Sequence, residues 1–361
     1  MFAYAYPTFR NNNYPLAQTK EPATEQPEAP SSVIYDNGSF IYPRIKTHHG
    51  VKTTIQHWQL RNLIRCPTSH TILHPIQNGL NIYDSKTGQD TPLLSDLSFT
   101  PTAIDAGYGY IALAGQRGMV MLRSLTSDWS RDFTAGPGIN NSVSLSRYRD
   151  QIRVIVCNND HTVTVMTVPD MVKIATIKMA CAINHTSVSP DGRKMLMVGD
   201  NGKAYMYNVT ESGEFEEGSS YQVSDEPALS CAWNHSSEKF AIASQDGYVT
   251  VYSTLRSEPL CRIQSSETRK TRKAPRSIQF SNGPLDLLVY AEHVSTVNIV
   301  DTRTFETRQI VRLSPSDVDY HVTGFSFSPD NRAIYVGLED AIVELNVDVC
   351  ARRRFAEPSL L

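Results

Sequence analysis

One unit recurs along this chain, its tight turns about every 40–47 residues, and that recurrence restricts the possible folds more than any other feature. SVSPDGRKMLMVGDNGKAYMYNV (187–209) aligns without a gap on AWNHSSEKFAIASQDGYVTVYST (232–254). The unit returns as FSNGPLDLLVYAEHVSTVNIVDT (280–302) and FSPDNRAIYVGLEDAIVELNV (327–347). Fainter copies occupy 61–85, 104–125 and 144–168. Each reads apolar strand, polar turn, apolar strand, tight Asp/Asn/Gly turn, alternating strand. Runs such as Tyr248-Val-Thr-Val-Tyr-Ser put β-branched and aromatic residues at period two, which favours strands. No stretch carries a sustained apolar stripe at helical period with capping signals.

This spacing is that of WD40-type repeats, with four strands per blade. Units of about 43 residues fill the chain from roughly residue 55 onward and predict an all-β, seven-bladed WD40-like β-propeller. The Trp-Asp pair that usually closes the third strand is eroded to Tyr83-Asp84, Tyr207-Asn208, Tyr252-Ser253 and Val300-Asp301, which keep the apolar position that packs between blades. Residues 1–32 are polar, Pro-rich and poor in branched apolar side chains, so a disordered N-terminal tail is expected there. The propeller is expected over 33–361, with a hairpin or latch at 33–57 and blades from about 58. Two segments fit the outer strand of the last blade: Ala351–Phe355, or the 33–57 region reaching back to join the ends. The sequence leaves both open.

Composition removes several function classes. With 34 Lys plus Arg against 37 Asp plus Glu, the net charge is −3, and no bulk attraction to polyanions follows. No apolar run approaches the roughly 18 residues that span a bilayer, so no membrane insertion is expected. The opening MFAYAYPTFRNNN lacks the basic and continuous apolar regions of a secretory signal, and a cytoplasmic location, with the nucleus also open, is the expectation. Six cysteines without a CxxC pair read as buried thiols, and His48-His49 shows no zinc-ligand spacing. Gly107, Gly109, Gly115 and Gly118 lie in a strand–turn–strand unit without the following helix that a phosphate loop needs. No nucleophile elbow, zinc-protease motif or nucleotide loop is present. The expectation is a protein that is not an enzyme and takes no cofactor or metal.

Two sets of residues are candidates for binding. The turns between second and third strands should all open on one face, presenting Arg117, Asp160, Asp200, Asp246, Glu292, His293, Glu339 and Asp340. Carboxylates gathered in a partly desolvated funnel favour a cation, such as a peptide α-ammonium group or a Lys or Arg side chain. The competing reading is that tight turns select Asp and Asn for their tolerance of left-handed backbone. The second set is the basic run Arg269, Lys270, Arg272, Lys273 and Arg276 between two blades, a candidate anion-binding loop. No stacking aromatics accompany it, so nucleic acid is not the expected partner.

Residues 276–293, RSIQFSNGPLDLLVYAEH, carry an Asp-Leu-Leu core at Asp286, Leu287 and Leu288. This run resembles a segment of a fungal family of WD40-like proteins catalogued as domain of unknown function 2415. The resemblance implies a fungal cytosolic propeller. Some members resemble substrate receptors of the GID (glucose-induced degradation) ubiquitin ligase, which recognise the N-terminus of a protein to be destroyed and dock on the ligase scaffold. No pocket motif matches residue by residue, so no binding residue carries over. Read physically, Leu285, Leu287 and Val289 should face one neighbouring blade and Leu288 and Tyr290 the other, with Asp286 accepting hydrogen bonds in the turn. The expected function is protein–protein recognition with other proteins as partners, ligase scaffold and substrate N-termini among them. The alternatives are a phosphoinositide- or nucleic-acid-associated scaffold using the 269–276 loop and, behind it, a propeller enzyme.

Overall fold

Alternation within each repeat unit has a direct structural counterpart. The second strand of every unit is apolar on both faces because each face packs against a different neighbour. In Leu287–Glu292, Leu287 and Val289 join a cluster with Val336 and Val343, while Leu288 and Tyr290 join one with Val251 and Ile263. In Lys194–Gly199, Leu196 and Val198 face Phe240, whereas Met195 and Met197 face Ile155 and Val163. A one-residue slip in register would exchange these two sets, so the apolar pattern fixes the pairing.

A computed structural model describes residues 36–353 apart from Leu60, Arg269, Lys270 and Ser316. The tail expected over 1–32, like the C-terminal residues 354–361, lies outside the described residues. Seven antiparallel sheets form seven blades, six of four strands and one of three. Blade 1 contains Thr71–Ile76, Gly79–Asp84 and Asp90–Leu94, and a bridge from Arg65 to Leu73 adds an inner segment. The inner strands of blades 2 to 7 are Pro101–Gly107, Asn140–Tyr148, Ile183–Val188, Ala228–Trp233, Pro275–Phe280 and Val322–Phe327. Seven apolar clusters lie one at each contact between successive blades, including blade 7 with blade 1. The ring is therefore closed.

Closure comes from the N-terminal side. Lys46–His49 pairs antiparallel with Ala341–Asn346 and completes blade 7 as its outer strand. The other option is overturned, because Val349–Arg353 is a short helix. Of the hairpin expected at the start of the 33–57 region, Val33, Ile34 and Tyr35 lie outside the described residues, and Ile41 bridges Val347. Phe40 and Ile41 donate their amides to Gln309 Oε1 of blade 6. Residues 40–49 thus bind blades 6 and 7, and pairing with Ala341–Asn346 covers the ladder edge that an open sheet would present.

Tight second-to-third turns need left-handed backbone. Gly118 and Gly202 have φ of 68° and 70°, and a Cβ at either would collide with the carbonyl oxygen of Gly136 or Ser224. Polar side chains stitch blade to blade. Thr102 Oγ1 donates to the Asn140 carbonyl at 2.7 Å, Asn141 Nδ2 to Ile183 at 3.0 Å, and Asn184 Nδ2 to Ala228 at 2.9 Å. Each joins the start of one inner strand to the start of the next. At the other end, Asp105 accepts from Arg65 at 2.7 Å and from the Leu145 amide at 2.7 Å, tying blades 1, 2 and 3 together.

Candidate protein-recognition site

In each blade, up-and-down strand order places the second-to-third turns and the blade-to-blade connections on one face of the ring. The first-to-second turns lie on the opposite face. The eight predicted turn residues do share the first face, but the structure gives them distinct situations. Asp200 Oδ1 accepts from Asn184 Nδ2 at 2.8 Å and orients that amide for its stitch to the next blade. Asp160 Oδ1 accepts from the Thr162 amide and hydroxyl at 3.0 and 2.6 Å. Asp246 pairs with Arg262 at 2.6 Å, whose guanidinium also lies 3.9 Å from the Tyr248 ring centroid. Glu292 is fully buried and accepts from the Ser266 amide and hydroxyl at 2.7 and 2.5 Å and from Asn298 at 3.0 Å. Burial raises its carboxyl pKa despite those donors. Arg117, Glu339 and Asp340 are exposed; the backbone carbonyls of Glu339 and Asp340 accept the Thr53 and Gly50 amides. His293 is half-buried. Four of the five acidic turns thus direct carboxylate oxygens at donors within the ring.

The basic run is also divided. Arg269 and Lys270 lie outside the described residues, and Thr271–Arg272 pairs with Glu267–Thr268 in a small hairpin. Lys273 is buried and pairs with Asp319 at 3.2 Å. Arg276 is buried at the start of blade 6's inner strand. A continuous solvated anion-binding loop is therefore not what these last two residues form.

The Asp-Leu-Leu core is structural in this ring. Asp286 adopts left-handed backbone, φ 57°, and its carbonyl accepts from the Thr302 amide and from Arg352 Nη2 at 2.8 Å. Leu287 and Leu288 are 0% exposed and face opposite blades, as the alternation predicts. Arg352, buried on the C-terminal helix, forks onto both oxygens of Asp301 at 2.7 and 2.9 Å. Arg303 also bonds Asp301. Burial alone would raise the Asp301 pKa, but these donors hold it well below the usual carboxylate range.

Sequence reasoning missed the concavity on the opposite face. There a cavity of about 690 Å3 opens at the end of the channel and is lined from all seven blades. That volume lies within the roughly 300–1,000 Å3 range of small-ligand sites. Its rim comes from first-to-second turns, including Tyr108, Arg149 and Asp191; its walls come from inner strands, including Ser144, His185, Trp233 and Gln279. The wall is mixed in polarity. Trp233 directs its indole N–H to the Ser187 carbonyl at 3.0 Å, and Ser277 Oγ is buried without a hydrogen-bond partner among the described residues. His185 stays neutral, pushed down to about 4 by burial and then by Arg65. The one available signal was the run of small polar residues on inner strands, Ser144, Ser146, Ser187 and Ser230, where packing alone favours apolar side chains. Among the described residues, no group of three His, Cys, Asp or Glu side chains is placed to hold a metal, and no helix is long and apolar enough to cross a membrane. Cys66, Cys157, Cys231 and Cys261 are buried as expected, whereas Cys181 is half-buried and Cys350 exposed.

Comparison with known proteins agrees with this architecture. The profile of a family described as "Uncharacterised protein domain (DUF2415)" matches residues 273–312, which is blade 6. A Schizosaccharomyces pombe protein, "Uncharacterized protein C4G3.03", is 27% identical over 329 residues, 87% of this chain and 94% of its own length. "Uncharacterized protein YLR149C" of Saccharomyces cerevisiae is 25% identical over 292 residues, 68% of this chain; the match spans only 40% of that relative. Among solved structures, a chain of "Crystal Structure of Mitotic Checkpoint Complex" superposes with a TM-score of 0.69 at 12% identity, covering 93% of this chain and 99% of its own. "Structure of U3-55K" gives 0.65 at 13% identity, covering 85% of this chain and 100% of its own. At such identities the likeness is one of fold.

Proposed function

We propose that this protein is a non-catalytic recognition propeller that holds a polypeptide segment in its channel cavity, and that it serves as a substrate receptor of a GID-type ubiquitin ligase. The cavity carries the first part of this reading. It is lined from every blade of a closed ring, so its shape is preorganised, and ordering costs on binding are small. Its walls offer backbone-like polar partners beside the Trp233 and Phe325 rings, a mixture suited to an extended peptide. The ligase part rests on the blade 6 segment and its resemblance to the fungal family, which is why it needs its own test. The cation-binding role of the acidic turns is the weaker form of the proposal, since most of those carboxylates already have donors.

Purification of the tagged full-length protein from its native cells is the test. Ligase subunits should co-purify with the wild type and with a cavity-filling Ser144→Trp variant, while the variant loses substrates. Recovery of other proteins without any ligase subunit would refute the ligase assignment and leave the cavity to be judged separately.

A further inference from the structure

The mouth of the channel on the turn face carries guanidinium donors that no acceptor meets among the described residues. Arg61 leads into the inner segment of blade 1, Arg276 lies at the start of blade 6's inner strand, and they are 6% and 7% exposed. Arg61 Nη1 donates to the His57 carbonyl at 3.1 Å. Among the described residues its Nε has no hydrogen-bond partner, nor do Nε and Nη1 of Arg276 or Nδ1 of His293, and all four atoms are buried. These groups feel one another: burial and then Arg61 draw the Arg276 guanidinium down to about 10, and burial, Arg276 and Lys273 draw His293 down to about 4.

Two neighbouring carboxylates are engaged elsewhere. Glu292 is held by Ser266 and Asn298, and Asp319 by Lys273 and Arg312. Glu339 acts on Arg61 through space, without a hydrogen bond among the described residues. A buried donor left unmet costs about 1–3 kcal/mol, and more when it is charged. Several such donors gathered around His57 and Trp58 form an arrangement that an incoming acceptor completes. Beside them stands Trp58, 61% exposed, its ring centroid 5.1 Å from the Arg276 guanidinium and stacked on His57. An exposed indole next to a desolvated arginine is the composition of a protein-binding hot spot.

We propose that Arg61, Arg276 and His293 form a site for an oxyanion carried by a polypeptide, with Trp58 packing on the apolar part of the same segment. The oxyanion is an acidic side chain, a C-terminal carboxylate or a phosphorylated residue; all three present the oxygens that guanidinium forks accept. With imidazole neutral and protonated at Nδ1, His293 adds a third donor. This site is at the opposite end of the channel from the cavity and does not depend on the ligase reading.

Calorimetric titration of the full-length protein tests it with matched short peptides that differ at one position, Gln, Glu or phosphoserine, with amidated C-termini, plus the Gln peptide with a free carboxylate. At least one anionic peptide should bind and the neutral one should not. Arg276→Met and Arg61→Met should each weaken that binding tenfold or more while the melting temperature stays level or rises, since an unmatched buried charge has been removed. Trp58→Ala, a surface change, should weaken it as well and covers the case in which an arginine variant fails to fold. A falling melting temperature with unaltered binding makes the arginines structural and overturns the proposal. So does absence of wild-type binding at about 1 mM peptide, or binding to phosphoinositide vesicles with none to peptides.

Discussion

Replacing Arg352 with methionine removes one guanidinium while keeping most of the aliphatic volume of the side chain. In the structure that guanidinium makes two bonds to Asp301, one to the Leu285 carbonyl and one to the Asp286 carbonyl, and it is 5% exposed. Breaking a buried pair from one side leaves the Asp301 carboxylate partly uncompensated, at a cost of about 3–5 kcal/mol. Arg303 still reaches Asp301, which argues for the lower half of that range. For a fold of roughly 320 residues the unfolding entropy is about 0.7 kcal/mol per kelvin, so 3 kcal/mol lowers the melting temperature by about 4 °C. Differential scanning calorimetry at neutral pH reads this directly. Acidification provides an internal control: the Asp301 pKa is depressed in the folded state, so its stabilisation is present above the unfolded carboxylate range and is lost as pH falls below it. Arg352→Met should flatten that part of the stability profile. An Asp301→Asn, Arg352→Met double variant should be less destabilised than the sum of the singles. A shift under about 1 °C for Arg352→Met, the size expected of a neutral surface change, would refute the idea that the C-terminal helix locks onto blade 6.

Other positions give equally definite expectations. Asn184→Ala removes the stitch between blades 4 and 5 and should cost about 1–2 kcal/mol in chemical denaturation. Gly202→Ala should cost more than about 2 kcal/mol, because left-handed backbone and a collision with the Ser224 carbonyl act together. Leu288→Ala, at a fully buried position, should lose about 2–5 kcal/mol. His185 has a folded pKa depressed to about 4, so the unfolded chain binds the proton first; stability should fall as pH drops from about 6.5 toward 4, with a shallower slope in His185→Asn.

The ring was legible in the sequence because its repeat and its period-two runs are enforced by packing that every blade shares. Leu285, Leu287 and Val289 were separable from Leu288 and Tyr290 on alternation alone, and the clusters divide them in that way. Closure was legible only as a choice between two segments, since Lys46–His49 is short, polar and mostly exposed, and its pairing comes from the free edge of Ala341–Asn346 rather than from its own composition. Turn carboxylates were visible as residues but not as partners: Asp200 meets Asn184, and Asp246 meets Arg262, at separations of 16 residues that no local pattern marks. Arg61 and Arg276 come together only when the ring brings blade 1 near blade 6, a relation that spacing along the chain does not carry. The cavity itself arises from seven strands set far apart in sequence.

Recognition through the channel is tested most directly by measuring binding of a peptide library, built from protein N-termini, to the wild type and to Ser144→Trp at equal fold stability. Selected peptides should bind the wild type and lose at least about tenfold in affinity, 1.4 kcal/mol, when the indole fills the cavity. Equal binding of the same peptides to both proteins would contradict the account.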